Sequence, residues 1–342
     1  MNLSINGFGR IGRCFLRQAI TNQNFKILAI NDLVDIDNLI YLLKHDTVYG
    51  WFNYPIQKTD EQKQFAKCKS VGKLIINNQE IYVFNERDPL NLPWNELNID
   101  TVIESTGVFE KYIDAKKHIQ AGSKKVVITA PGKGEEGIEG KTILSGINDS
   151  EINNFDVVSN GSCTTNAVAP VVKILDNEIG IEKAILNTIH AYTNTQSLVD
   201  ISCQKDYLRG RAGAQNIIPS TTGAASTVTK VIKNLENKFD GIAIRVPVVC
   251  GSLADITFIA RKNTNKEEIS NILISNSQKP EWKNILGVSV ESLVSSDIVK
   301  TSFPAIVDLN FTKVVDGNLV KVLVWYDNEW AYTATLINQL SK

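Results

Sequence analysis

The segment Leu3-Ser4-Ile5-Asn6-Gly7-Phe8-Gly9-Arg10-Ile11-Gly12 constrains this chain more than any other. A strand-like run enters a complete G-x-G-x-x-G. From residue 10 to residue 19 the spacing then turns helical, with Ile11, Phe15 and Ala19 on one face. A second strand-like run at 25–30 ends in Asn31-Asp32, so an acid follows the last glycine by about 20 positions. Strand, glycine turn, helix, strand and acid together make a dinucleotide-binding βαβ unit. Gly7 and Gly9 permit a tight turn and the close approach of a pyrophosphate to the helix N-terminus. Asp32 would accept hydrogen bonds from both ribose hydroxyls, and its charge would repel a 2′-phosphate. Glycine turns also join strands to helices in α/β folds that bind nothing, so the acid and the flanking elements carry the reading.

The next 130 residues repeat the theme. Helical spacing over 33–43 and 112–121 alternates with near-continuous apolar runs at 100–107, 125–131 and 156–160. Residues 52–98 read as short strands and turns, with a strand pair around 73–76 and 80–84. Unbroken apolar strands separated by helices imply a parallel sheet covered on both faces. Beyond residue 163 the character changes. Strands expected at 184–190, 239–249, 253–260, 306–311 and 319–326 suggest an antiparallel sheet with helices, among them 225–235 and 266–277, on one side. The expected fold is therefore α/β. A Rossmann-type parallel domain over 1–162, completed by a C-terminal helix 329–342, is joined to an α+β domain over 163–328 with a mixed, mainly antiparallel sheet. Between the first two strands of that second domain, residues 192–213 form a long polar stretch of the kind that is usually functional or packs on a partner subunit.

The run Ser159-Asn160-Gly161-Ser162-Cys163-Thr164-Thr165-Asn166 sets a thiol where a strand ends and a helix begins. Ligands of open α/β sheets sit at the carboxyl ends of strands, so Cys163 would lie beside the cofactor. The field of a helix N-terminus favours the thiolate, the nucleophilic form; the alternative is a buried, inert cysteine. The other cysteines, Cys14, Cys68, Cys203 and Cys250, are widely spaced with no CxxC pair. That pattern argues against a disulfide framework or zinc site and for a reducing cytoplasm. Lys+Arg 36 against Asp+Glu 37 gives a net charge of -1, which offers nothing to nucleic acid or an acidic membrane. No apolar run is long enough to span a bilayer.

Of three histidines, His190 ends a strand and could pair with Cys163 as its base. His118, flanked by Lys116 and Lys117, reads as a solvated surface residue, and His45 as a helix C-terminal cap. Two anion-binding candidates follow. Arg245, inside the apolar strand run 242–247, needs an anionic partner because an unpaired buried charge is costly, and Thr193 and Thr195 follow the histidine. The hydroxyl-rich turn at 220–225 opens a helix and suits phosphate, although ordinary capping would use the same residues.

The motifs INGFGRIGR (5–13), ESTGVF (104–109), SCTTN (162–166), HAYTNTQ (190–196), IPSTTGAA (218–225), RVPV (245–248) and WYDNEW (325–330) occur in that order along the whole chain. In this the sequence resembles the phosphorylating glyceraldehyde-3-phosphate dehydrogenases. The resemblance implies NAD-dependent oxidation of D-glyceraldehyde 3-phosphate to 1,3-bisphosphoglycerate through a thiohemiacetal and a thioester on Cys163, with His190 as base. It implies that Thr193, Thr195 and Arg245 hold the substrate phosphate, and that Ser162, Thr164, Thr222 and Gly223 hold the attacking inorganic phosphate. Gly9, Arg10, Ile11 and Asp32 match cofactor positions, and Asn328 would meet the nicotinamide carboxamide. The resemblance also implies a homotetramer in which residues 192–213 reach toward a neighbour's cofactor.

The chain departs from the family pattern at Gly161 (commonly alanine), Ala331 (glycine), Trp51 (a basic residue) and Ile201-Ser202 (often Leu-Pro in NAD-specific members). Ser202 removes one obstacle to a 2′-phosphate and Asp32 keeps another. The charge outweighs the lost apolar contact, so NAD is expected over NADP. An erythrose-4-phosphate dehydrogenase is the nearest rival reading, and a non-catalytic NAD-binding protein a remote one. The threonines with Arg245 favour a phosphorylated substrate over the semialdehydes that related Cys–His enzymes use.

Overall fold

The computed structural model describes residues 1–204 and 206–341; Lys205 and Lys342 lie outside it, and with them one position each of the expected 192–213 segment and 329–342 helix. Two compact units emerge. One comprises residues 1–143, 148–161 and the chain from Leu336 on, the other 144–147 and Ser162–Thr335.

The first unit begins with β1 (Asn2–Asn6), α1 (Arg10–Ala19), β2 (Lys26–Asn31) and α2 (Ile36–Lys44). Asp35 caps α2 by accepting from Asn38 N–H at 2.9 Å, so the helix starts three residues later than the periodicity suggests. Next come β3 (Ile56–Thr59), β4 (Gly72–Ile76), β5 (Gln79–Phe84) and β6 (Thr101–Glu104). The helix expected over 112–121 is two short pieces, α3 (Tyr112–Ala115) and α4 (Lys117–Gln120); β7 (Lys125–Ile128), β8 (Lys141–Thr142) and β9 (Val157–Ser159) follow. The sheet order is β3-β4-β5-β2-β1-β6-β7-β9-β8, and only the β3–β4 and β4–β5 pairs are antiparallel. Within it β5-β2-β1-β6-β7-β9 is the doubly wound order, which reverses between β1 and β6. β1, β2 and β6 are buried almost throughout, as a sheet covered on both faces requires.

His118 departs from its expected place. It is fully buried rather than solvated, because α4 turns it inward against Trp94 and Glu104 while Lys117 stays outside. His45 does stand at the C-terminal cap of α2, its N–H donating to Tyr41 O.

The second unit holds α5 (Cys163–Glu178), β10 (Ile181–Ala191), β11 (Ile218–Thr221), α6 (Ala224–Val231), β12 (Phe239–Val246), β13 (Ser252–Ala260) and α7 (Lys266–Ser277). It continues through β14 (Leu286–Ser289), β15 (Ala305–Val315) and β16 (Leu319–Tyr326) into α8 (Trp330–Leu340), whose residues from Leu336 on group with the first unit. The sheet order is β11-β12-β10-β13-β16-β15-β14. It is mixed, as expected: the β10–β12 and β14–β15 pairs are parallel and the other four antiparallel. Strict alternation along β13 and β16 turns Ile256, Phe258, Val320, Val322 and Val324 onto the face that meets Val168, Val171, Val172 and Leu175 of α5. Each such side chain contributes about 1.5–3 kcal/mol of burial. Pro170 lies in the middle of α5.

Candidate active site

Ser162 starts α5. Its Oγ accepts from Thr165 N–H at 3.1 Å, and this cap makes Cys163 the first residue of the helix. Gly161, before it, has φ +62 and donates its N–H to Ser159 Oγ at 3.0 Å. That left-handed backbone explains a glycine where alanine is common, since a Cβ there is strained. Ala331, the other glycine-to-alanine departure, is fully buried, and Trp51 is exposed with its ring edge-on to His45.

The end of β10 delivers the base. His190 Nε2 lies 3.4 Å from Cys163 Sγ. β10 and β12 run parallel with His190 and Arg245 as register partners, which sets Arg245 Nη1 2.6 Å from His190 Nδ1. His190 Nδ1 is also 2.7 Å from Ala191 O, to which Arg245 Nη1 donates at 3.1 Å. A guanidinium only donates and a carbonyl only accepts, so Nδ1 can serve one of them at a time. With its proton on Nδ1 the ring bonds Ala191 O and turns a bare Nε2 to the thiol. With the proton on Nε2 it accepts from Arg245 and donates to sulfur.

Burial and the adjacent Arg245 charge push His190 down from 6.5 to about 3, so the imidazole is neutral at physiological pH. Burial also pushes the Cys163 thiol up, against the opposing pull of Arg245 and the Thr164 hydroxyl. Cys163 keeps part of its surface open to solvent amid dense surroundings. The helix N-terminus is where the sequence puts the thiol, but desolvation outweighs its field, and the resting pair is thiol and imidazole rather than thiolate and imidazolium.

Burial likewise pulls the Arg245 guanidinium down. Its Nε is buried without a hydrogen-bond partner, and among the described residues no carboxylate pairs with it. Such a cation calls for an anionic ligand. Thr193 and Thr195, just past β10, are joined by a 2.9 Å contact between their hydroxyls, and Thr193 N–H donates to Gln196 Oε1 at 2.9 Å.

Tyr326, unmarked by the sequence reading, is the buried bridge of this site. Its hydroxyl lies 2.8 Å from Thr164 Oγ1 and 2.7 Å from Thr188 Oγ1, and its ring stands edge-on to His190 at 5.9 Å. The alternation of β16, which points Val320, Val322 and Val324 inward, would have found it. Ser162 and Thr164 thus flank the thiol with their hydroxyls already bonded within the protein. Thr222 and Gly223 stay within their own turn: Thr222 Oγ1 accepts from Ala224 N–H at 3.1 Å, and Gly223 O caps the start of α6. Asn328 Oδ1 accepts from Gly251 N–H at 3.2 Å and Ser252 Oγ at 3.1 Å, which leaves its amide NH2 to donate.

In the first unit the glycine motif forms a cradle. Gly7 has φ +90, and a Cβ there would lie 2.6 Å from Thr106 N; a Cβ on Gly12 would lie 2.3 Å from Gly7 O. A Cβ on Gly9 would meet nothing within 4 Å, so space stays open in front of α1. No side chain caps that helix and no acid stands in its first turn, which suits a pyrophosphate. Asp32 accepts from Phe8 N–H at 2.6 Å and Val34 N–H at 3.0 Å, and its remaining lone pairs suit a diol. The Arg10 side chain is held by Asp46 at 3.0 Å, so Arg10 and Ile11 offer the cradle backbone rather than side chain. The residues fit a dinucleotide.

Known proteins give the same picture. The family model for the glyceraldehyde 3-phosphate dehydrogenase NAD binding domain matches residues 1–112, and that for the C-terminal domain matches 162–328. A glyceraldehyde-3-phosphate dehydrogenase of Borreliella burgdorferi is 43% identical over 100% of this chain and 99% of its own length. Those of Streptomyces coelicolor and Geobacillus stearothermophilus are 41% and 40% identical, each over 99% of this chain and over 97% and 96% of their own lengths. This chain belongs to the glyceraldehyde-3-phosphate dehydrogenase family.

Proposed function

We propose that the protein converts D-glyceraldehyde 3-phosphate, NAD and inorganic phosphate into 1,3-bisphosphoglycerate. The observation that carries this is the 3.4 Å contact of Cys163 Sγ with His190 Nε2, next to an arginine with no acidic partner among the described residues.

The thiol adds across the aldehyde carbonyl. The S–C bond forms while His190 Nε2 takes the thiol proton and returns it to the carbonyl oxygen, giving a thiohemiacetal. His190 then withdraws that hydroxyl proton. Bound NAD supplies the acceptor for the hydride leaving the same carbon, which becomes the thioester carbon. An oxygen of inorganic phosphate attacks the thioester, the C–S bond breaks, and sulfur regains its proton from His190. Thr193, Thr195 and Arg245 hold the substrate phosphate. Drawn onto that anion, Arg245 stops competing for Nδ1, and His190 settles in the form whose bare Nε2 faces sulfur. Ser162, Thr164, Thr222 and Gly223 receive the attacking phosphate. Gly7, Gly9, Arg10, Ile11 and Asp32 hold the dinucleotide, and Asn328 donates to its carboxamide.

The reading extends to a cytoplasmic homotetramer. Leu198, Val199, Ile201, Tyr207 and Ile217 are all exposed on or beside the 192–213 segment, an apolar surface suited to self-association. The described cysteines are all free, which suits a reducing compartment. Light scattering on the eluting protein should give four times the chain mass, and a monomer mass would sink the assembly.

Cys163→Ser tests the chemistry. It should abolish NADH formation from glyceraldehyde 3-phosphate while NAD binding persists; turnover close to wild type would refute the thioester route.

A further inference from the structure

The proposed mechanism makes no use of a buried, densely hydrogen-bonded cluster in the first unit. Glu104, His118, Asn6, Asn31 and Trp94 are each 5% exposed or less. Buried polar groups are costly unless satisfied, and a satisfied chain fixes one geometry. Trp94 Nε1–H donates to His118 Nδ1 at 2.9 Å. An indole N–H only donates, so the His118 proton is on Nε2, which lies 3.0 Å from Glu104 Oε2. Asn6 Nδ2 donates to the same oxygen at 2.6 Å, and Asn31 Nδ2 donates to Asn6 Oδ1 at 2.7 Å. On the other carboxylate oxygen, Glu104 Oε1 accepts from the N–H of Thr106 at 2.9 Å and from its hydroxyl. Four donors thus converge on one carboxylate that no Lys or Arg neutralises among the described residues.

The position of this chain gives it a use. Asn31, Asn6 and Glu104 are the last residues of β2, β1 and β6, three adjacent strands at the point where the sheet order reverses. Glu104 fixes Thr106, whose Oγ1 in turn accepts from Val108 N–H at 3.0 Å. Ser105 Oγ donates to Gly7 O at 2.6 Å, and Gly7 packs so closely on Thr106 N that no Cβ fits between them. Gly7 N–H donates to Asn31 O at 2.8 Å. The glycine turn in front of α1 therefore rests on a loop whose course the buried carboxylate sets.

We propose that Glu104 and His118 are positioning residues for the dinucleotide: they touch no ligand, but hold the 105–108 loop against which the glycine cradle is seated. This rests on the cofactor site proposed above. In Glu104→Gln an amide NH2 must face donors on one side of the group, so the loop has to shift. The Kd for NAD should rise about tenfold or more. His118→Leu should do the same, whereas His118→Gln, which keeps a donor for Glu104, should cost about threefold or less.

The test is NAD titration by calorimetry on the wild type and the three variants, with two further readouts: kcat at saturating NAD, and iodoacetamide labelling of Cys163 without cofactor. The proposal predicts weaker NAD binding, with kcat and labelling within about twofold of wild type. Unchanged Kd in Glu104→Gln and His118→Leu would overturn it. So would labelling and kcat falling in step with the loss of NAD affinity, the signature of general structural damage. If Glu104→Gln or His118→Leu fails to fold, the other decides; if both fail, Thr106→Val, which removes the hydroxyl that donates to Glu104 Oε1, takes their place, and an NAD Kd unchanged from wild type in the deciding variant counts against the proposal. A wild type that does not bind NAD would instead refute the cofactor site itself.

Discussion

His190 and Arg245 are register partners on adjacent parallel strands, with Nδ1 and Nη1 2.6 Å apart. The sheet thereby couples the base to the cation expected to hold the substrate phosphate. A substrate that brings its own anion changes the electrostatics of the base as it binds.

Arg245→Leu should separate these roles. KM for glyceraldehyde 3-phosphate should rise about 100-fold, whereas kcat/KM for unphosphorylated glyceraldehyde should change little. Losing the charge that depresses His190 should also move the acid limb of the kcat/KM profile to higher pH. Equal losses with both aldehydes would show that Arg245 does not read the phosphate.

The depressed His190 makes a stability prediction of definite sign. Its folded value, about 3, lies below its ordinary 6.5, so the unfolded chain takes up the proton first as pH falls. Stability on this account is constant above about 6.5 and declines toward pH 3 by about 1.4 kcal/mol per pH unit. His190→Asn lacks that component. Denaturant midpoints of wild type and variant, measured from pH 7 to pH 4.5, should converge or cross on the acid side; parallel curves would contradict the shift.

Tyr326→Phe removes a hydroxyl that joins Thr164 and Thr188 in a buried site. The cost should be about 1–3 kcal/mol of stability, because two hydroxyls lose a partner. Urea unfolding measures it, and a change below about 0.3 kcal/mol would mean that the bridge is dispensable.

Asp32→Ala should shift cofactor preference. The carboxylate that repels a 2′-phosphate is gone, and Ser202 adds no apolar obstacle. The NAD/NADP ratio of kcat/KM should fall about tenfold or more. An unchanged ratio would place discrimination elsewhere.

Much of this was legible in the chain. The glycine motif, the strand ends that carry Cys163 and His190, and the two sheet types all follow from periodicity, because burial on one or both faces writes itself into alternation. What escaped depended on tertiary contacts. His118 directly follows two lysines, and nothing local says that its face of α4 meets Trp94. The parallel pairing that brings Arg245 beside His190 joins residues 55 apart in sequence, beyond the reach of any local pattern. The net direction of the Cys163 shift was misread because a helix terminus is visible in sequence whereas the depth of burial is not.

The proposed chemistry passes through a thioester that phosphate, not water, resolves. The most direct test is NADH formation from glyceraldehyde 3-phosphate with and without inorganic phosphate. With phosphate, NADH should accumulate at a steady rate. Without it, a burst of about one NADH per chain should be followed by near arrest, as Cys163 stays acylated. A steady rate independent of phosphate, or no NADH in either case, would contradict the account.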